Sequence, residues 1–253
     1  MNWIGFWTLL RRETARFLVL WRQTVLPPIL SSVLYILIFG YSLGSRIREI
    51  HGFPYTEFIL PGLAMMGIMN AAYSNSSSSL FMAKREYYLN DILIAPISYW
   101  ETVLAFMAGA MLRGFLVGAV ILATGTALAH LPWSHGFYGL AIMVLVSALL
   151  SCVGLILGLW SQTWDNVMLA VNFFITPLVF LGGVFYSIEM LPPFWRTLSH
   201  FNPLFYMING MRYGVLGVAD ASPALSLGLT GLLAAGAFAL TVGLFRTGYR
   251  IKS

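Results

Sequence analysis

Charge is what this chain has least of. Of its 253 residues only 9% are charged, while 59% are hydrophobic, and the mean hydropathy is +0.81. Soluble domains carry about 25% charged residues. So few charges cannot solvate a globular surface of this size, so lipid must face most of it. Cysteine is nearly absent as well. Cys152 stands alone in an apolar run, which excludes an intrachain disulfide and a cysteine-based metal site. The only lysines are Lys84 and Lys252. Neither follows the glycine pattern of a phosphate-cradling loop, and no Gly-x-Gly-x-x-Gly occurs, so this chain offers ATP no binding loop. Histidines do not cluster: His130 and His135 lie five apart in a loop, and His200 is alone. Asp165, Glu189 and Asp220 read as isolated acids at helix ends. Enzyme chemistry needs convergent titratable groups, so neither catalytic residues nor metal ligands are expected. The net charge of +5 comes without a basic patch on a foldable domain, which argues against nucleic-acid binding. The N-terminus has no basic region followed by a small-residue cleavage site, so it does not read as a secretory signal.

What the chain has in quantity is long apolar runs. A spanning helix needs about 20 apolar residues. Six runs qualify, at 24–43, 56–82, 101–124, 137–160, 167–185 and 225–245, and they leave no room for a separate soluble domain. The expectation is one all-α membrane domain over residues 1–253. Residues 3–22 read differently. At 100° per residue, Trp3, Phe6, Trp7, Leu10, Phe17, Leu18 and Trp21 form one stripe, and Arg11, Arg12, Arg16 and Arg22 lie opposite. Such a helix lies flat at the headgroups, aromatic face down and arginines up. Counting Lys and Arg in alternate loops puts nine (at 11, 12, 16, 22, 84, 85, 246, 250 and 252) against four (at 46, 48, 196 and 212). The richer side is cytoplasmic, and with it both termini.

Four features depart from a plain lipid-facing bundle. The inner half of the second run carries Asn70, Ser74, Asn75, Ser76, Ser77, Ser78 and Ser79. Unpaired polar groups in hydrocarbon cost free energy, so this run lines a path or lets helices pack closely. Arg113 lies halfway along the third run, where an arginine marks function or an internal partner; it contacts substrate or clamps a carbonyl. Residues 84–98 read as a short cytoplasmic helix ended by Pro96, suited either to docking a partner or to anchoring at the interface. Residues 186–220 are too polar and proline-rich to span, and read as two short helices dipping into the outer leaflet.

Several strings then become familiar in their order. Leu60-Pro61-Gly62-Leu63, Ile94-Ala95-Pro96-Ile97-Ser98, Leu181-Gly182-Gly183-Val184-Phe185-Tyr186-Ser187, Leu191-Pro192-Pro193 and Asn202-Pro203 resemble the ABC-2 type transporter permeases, most closely the YadH and nodulation-permease-like branch, over essentially the whole chain. The resemblance implies a six-transmembrane-helix permease with an N-terminal interfacial helix and an outer re-entrant segment, working as a homodimer with two copies of a separate ABC ATPase subunit. ATP and Mg would sit on that partner, and this chain would bind no cofactor. It further implies that Asn70, Ser74, Asn75, Ser78, Asn172 and Thr176, together with Arg113, line the substrate path. Glu86, Leu89, Asp91, Ile92, Leu93 and Pro96 would couple to the ATPase, and Tyr186, Glu189, Pro203, Tyr206 and Arg212 would form the outer gate. An ion-driven carrier would need carboxylates or histidines within the spans, and these are nearly lacking. An accessory scaffold leaves the polar second run unexplained.

Overall fold

The computed structural model describes residues 2–42, 44, 49–129 and 131–248. Arg46, Arg48, His130, Arg250 and Lys252, which entered the reading of loops and charge, lie outside them. Within them the chain is helical, apart from one small hairpin.

Helix α1 (Trp3–Val19) is capped by Asn2, whose side chain accepts from Gly5 N at 3.1 Å. The expected single helix over 3–22 is broken instead at Leu20, and a short α2 (Trp21–Thr24) precedes α3 (Leu26–Ser42). Thr24 explains part of the break, since its hydroxyl donates to the carbonyls of Phe17 and Leu20, both at 3.0 Å. Pro27 and Pro28 lack N–H groups and so fit only a new first turn. Strands β1 (Glu49–Ile50) and β2 (Phe53–Pro54) pair antiparallel. Their turn residues His51 and Gly52 have φ of +51° and +79°, the pattern of a tight hairpin turn that leaves glycine unstrained.

Helix α4 (Tyr55–Arg85) runs unbroken through Pro61. Then come α5 (Tyr88–Ile94), α6 (Tyr99–Leu128) and α7 (Gly136–Trp160). Glu101 in the first turn of α6 accepts from Ser98 N and from Asn2 N, each at 2.8 Å, so the starts of α1 and α6 are tied together. Next, α8 (Trp164–Ala170), a π turn (Val171–Ile175) and α9 (Thr176–Leu181) form one continuous rod. The wide turn has a local cause: Pro177 cannot donate to Phe173, and its ring pushes that carbonyl away. A 3-10 turn (Ile188–Met190), α10 (Pro193–Phe201), α11 (Pro203–Leu216) and α12 (Pro223–Thr247) complete the chain.

The helices outrun most of the apolar runs. The segments expected at 56–82, 101–124, 137–160 and 225–245 become Tyr55–Arg85, Tyr99–Leu128, Gly136–Trp160 and Pro223–Thr247, because their polar ends are helical too. The one expected at 167–185 moves to Trp164–Leu181, since Gly182 and Gly183 end the helix. Among the described residues, five segments are long and apolar enough to cross a bilayer: Trp21–Gly40, Tyr99–Ala127, Gly136–Trp160, Trp164–Leu181 and Pro223–Thr247. Helix α4 is not among them, although it is the longest helix. At about 46 Å it matches the headgroup-to-headgroup thickness of a bilayer, about 40–45 Å. It can be polar because it is enclosed: α7 and α6 pack along it, with α11 and α3 beside them. One core joins α4 to these neighbours. A second, at the α5 end, gathers Leu9, Leu80, Leu89, Phe106, Leu159 and Phe245.

Candidate substrate path and its two ends

Between Phe58 and Phe81, every residue of α4 is buried except Met66, Asn70, Ser74 and Ser78. These four are spaced by four, so each steps about 40° around the helix and together they form one ridge. The rest of the polar run faces protein. Ser76 and Ser77 return their hydroxyls to the carbonyls of Ala72 (3.1 Å) and Tyr73 (2.8 Å). Against them lies Gly154 of α7, where a Cβ would stand 2.6 Å from the Tyr73 carbonyl oxygen. The two readings of this run therefore apply to different residues: serines at 76 and 77 let helices approach, while 70 and 74 stay open and Ser78, also on the ridge, accepts from Arg16 Nη1 at 3.4 Å.

Asn75 does not join the open row. It is buried, and its carbonyl and side-chain oxygens accept from Arg16 Nη2 at 2.8 and 3.0 Å. Arg113 leaves the path as well. Its Nη2 donates to the Thr24 carbonyl at 3.0 Å, the oxygen freed where α2 ends; it clamps a helix break. Asn172 is exposed on the π turn and Thr176 is half-buried. Their rod is held to α4 by the Tyr73 hydroxyl, which donates to the Val167 carbonyl at 3.1 Å.

Helix α1 keeps its two faces, with Trp3 and Trp7 exposed on one and Arg11 and Arg12 exposed on the other, but part of its polar face meets protein. Glu13 is buried and accepts from Ser79 Oγ at 2.5 Å, with Arg16 Nη2 3.6 Å away. Arg12 lies 3.8 Å over the Tyr88 ring of α5. Burial pushes the Tyr88 phenol above its ordinary value, more than the facing Arg12 charge lowers it, so the ring meets the guanidinium as a neutral π face. Thus α1 bridges α5 and the open ridge of α4.

At the α5 end, Tyr87 turns the chain with φ of +61°. The six residues expected to couple are not equivalent. Leu89 is 2% exposed and belongs to this chain's own core, so it anchors α5 and is not available to a partner. Ile92 and Leu93 are half-buried, while Glu86, Asp91 and Pro96 are exposed. The largest apolar surface on α5 is Ile94, 82% exposed, which was not among the six expected to couple.

At the other end, Asp220 is not isolated. Its carboxylate accepts from Ser187 Oγ at 2.9 Å and Ile188 N at 3.1 Å, and meets His51 Nε2 at 2.9 Å and Arg212 Nη1 at 3.5 Å. Arg212 is fully buried, donates to the Gly183 carbonyl at 2.6 Å and stacks 4.0 Å over Phe58. Asn209 Oδ1 accepts from Asp220 N at 2.7 Å. His51 reaches both Ser187 and Asp220 through the same nitrogen, so the trio lacks the relay of a hydrolytic triad, which uses both ring nitrogens. Of the other expected gate residues, Tyr186 and Tyr206 donate to the carbonyls of Phe180 and His200, both at 3.0 Å. Pro203 opens α11 and Glu189 is exposed. Sequence reading had no signal for His51 and Asp220, 169 positions apart. Glu13 had one: it is the only acid before Glu49, among arginines.

A polar central helix, shielded by apolar helices and carrying a helical knob at one end and a proline-rich fold-back at the other, defines a membrane permease. The family model for ABC-2 type transporters matches residues 4–216, so the chain belongs to that family and is an all-α integral membrane transport permease. It is 38% identical to the inner membrane transport permease YadH of Escherichia coli K12, covering 100% of this chain and 99% of that protein. It is also 23% identical to nodulation protein J of Sinorhizobium fredii, over 97% of this chain and 93% of that one.

Proposed function

We propose that this chain is the membrane subunit of an ATP-driven exporter in a bacterial inner membrane. Two copies form the path, and two separate ATPase subunits, which bind ATP and Mg, supply the energy. The observation that carries this reading is the open ridge Met66–Asn70–Ser74–Ser78 on an otherwise enclosed helix. An i, i+4 ridge is the surface that a second helix packs along, and its neutral polar residues are poorly suited to lipid. A second copy facing it would enclose a polar seam, with Asn172 and Thr176 on the neighbouring rod. The α5 knob, with Ile94 outward beside Asp91 and Pro96, is the surface offered to the ATPase, and both termini lie on that cytoplasmic side. The outer fold-back, pinned at Arg212 and Asp220, closes the far end. Movement of the knob reaches the ridge through α1, whose Arg12 and Arg16 touch α5 and α4. ATP can drive this cycle only because its binding favours one arrangement over the other.

The test is co-expression with an ATPase subunit carrying Gly-x-x-x-x-Gly-Lys-Ser/Thr. The two should co-purify, and the pair should hydrolyse ATP. A chain that transports after purification without any ATPase would overturn the proposal.

A further inference from the structure

A cavity of about 530 Å³ lies at the α5 end of α4, against the turn between α7 and α8. Lys84, Arg85, Ser161, Gln162, Thr163 and Trp164 line it, and none of its lining residues is acidic. Glu86 and Asp165 are neighbours in sequence, but both are exposed and stand outside the lining. Lys84 is held in place by the α7 terminus, its Nζ donating to the Leu159 carbonyl at 2.5 Å. Thr163 Oγ1 accepts from Asn166 N at 3.4 Å, which leaves its proton to donate elsewhere. Ser161 is 1% exposed, yet its hydroxyl has no hydrogen-bond partner among the described residues. A buried hydroxyl without a partner costs free energy, and here it borders a cavity lined by two cations. The floor is aromatic, with Phe81 and Trp164 rings 5.7 Å apart.

From this donor set we infer a phosphate-binding site for the headgroup of an anionic phospholipid. Two cations, two hydroxyls and an amide suit the several acceptor oxygens of a phosphodiester. Depth selects lipid as the source. Helix α4 is as long as a bilayer is thick from headgroup to headgroup, so its last turn, with Lys84 and Arg85, stands at headgroup level. Trp164, 40% exposed beside it, is the residue type that settles there. Basic pockets between helices on the cytoplasmic side hold such headgroups. The choice of leaflet rests on the orientation proposed above, whereas the site itself does not.

The test titrates the full chain, purified in neutral detergent, with phosphatidylglycerol, phosphatidylcholine or inorganic phosphate, counting retained lipid by native mass spectrometry. The expected result is one tightly retained phosphatidylglycerol. The double variant Arg85→Gln with Ser161→Ala should weaken it roughly tenfold or more, the equivalent of one charge-assisted hydrogen bond, without lowering the melting temperature, since one side chain is exposed and the other has no partner. Arg11→Gln, on an exposed arginine outside the lining, should leave it unchanged. Equal retention of phosphatidylcholine, equal loss in Arg11→Gln, or inorganic phosphate binding as tightly as the lipid would each overturn the assignment. This readout needs no ATPase, so it can fail while the transport proposal stands.

Discussion

Ile94 and Leu89 sit five positions apart on one short helix and have opposite fates, 82% and 2% exposed. Leu89→Asp would bury a charge in the core beside Phe106 and Leu159, at a cost of roughly 3 kcal/mol or more. Its expected outcome is a lower melting temperature and poor yield. Ile94→Asp should melt like the parent and lose association with the ATPase subunit, measured by co-purification and ATP turnover. If Ile94→Asp assembles normally, α5 does not dock through this face. The hub at Arg212 and Asp220 gives a second contrast. Asp220→Asn leaves the Arg212 guanidinium buried without a countercharge, at a cost of about 3–5 kcal/mol. His51→Ala removes only a half-exposed partner, at a cost of about 1 kcal/mol. Thermal melting in detergent should rank them in that order, and equal effects would refute the hub as described.

Among the elements, α4 decides how the path is read. Ser74→Trp fills the open ridge and should stop transport in vesicles while leaving the melting temperature within a few degrees. Gly154→Leu, on the packed side, meets the backbone of α4 directly and should destabilise the fold by about 1–3 kcal/mol. The reverse pattern would mean that the ridge is ordinary lipid-facing surface. This contrast also shows what could be read from sequence. Apolar runs located the helices, because hydropathy reports directly which segments can face lipid. The same signal could not say that α4 is shielded, because shielding depends on α6, α7, α11 and α3 arriving around it. Nor could it divide Ser74 from Ser77, which differ only in which neighbour they meet. For a related reason, the periodicity of α1 showed its two faces but not that Glu13 and Arg16 would find partners on α4. The bond from Arg113 to Thr24 links residues 89 apart, and no local pattern announces it.

For the molecule as a whole, the proposed function would make one chain an incomplete machine, its ridge half of a seam and its knob the seat of a separate motor. The single cysteine, Cys152, is fully buried, so one introduced thiol can report the assembly. The most direct measurement is cross-linking of Ser74→Cys in native membranes, with Leu232→Cys on α12, 72% exposed, as the lipid-facing control. If two copies enclose the path along α4, Ser74→Cys joins chain to chain, and ATP with the partner subunit changes its yield, while Leu232→Cys stays monomeric. If Ser74→Cys stays monomeric and reacts freely with lipid-soluble reagents, the ridge faces the bilayer and the account is wrong.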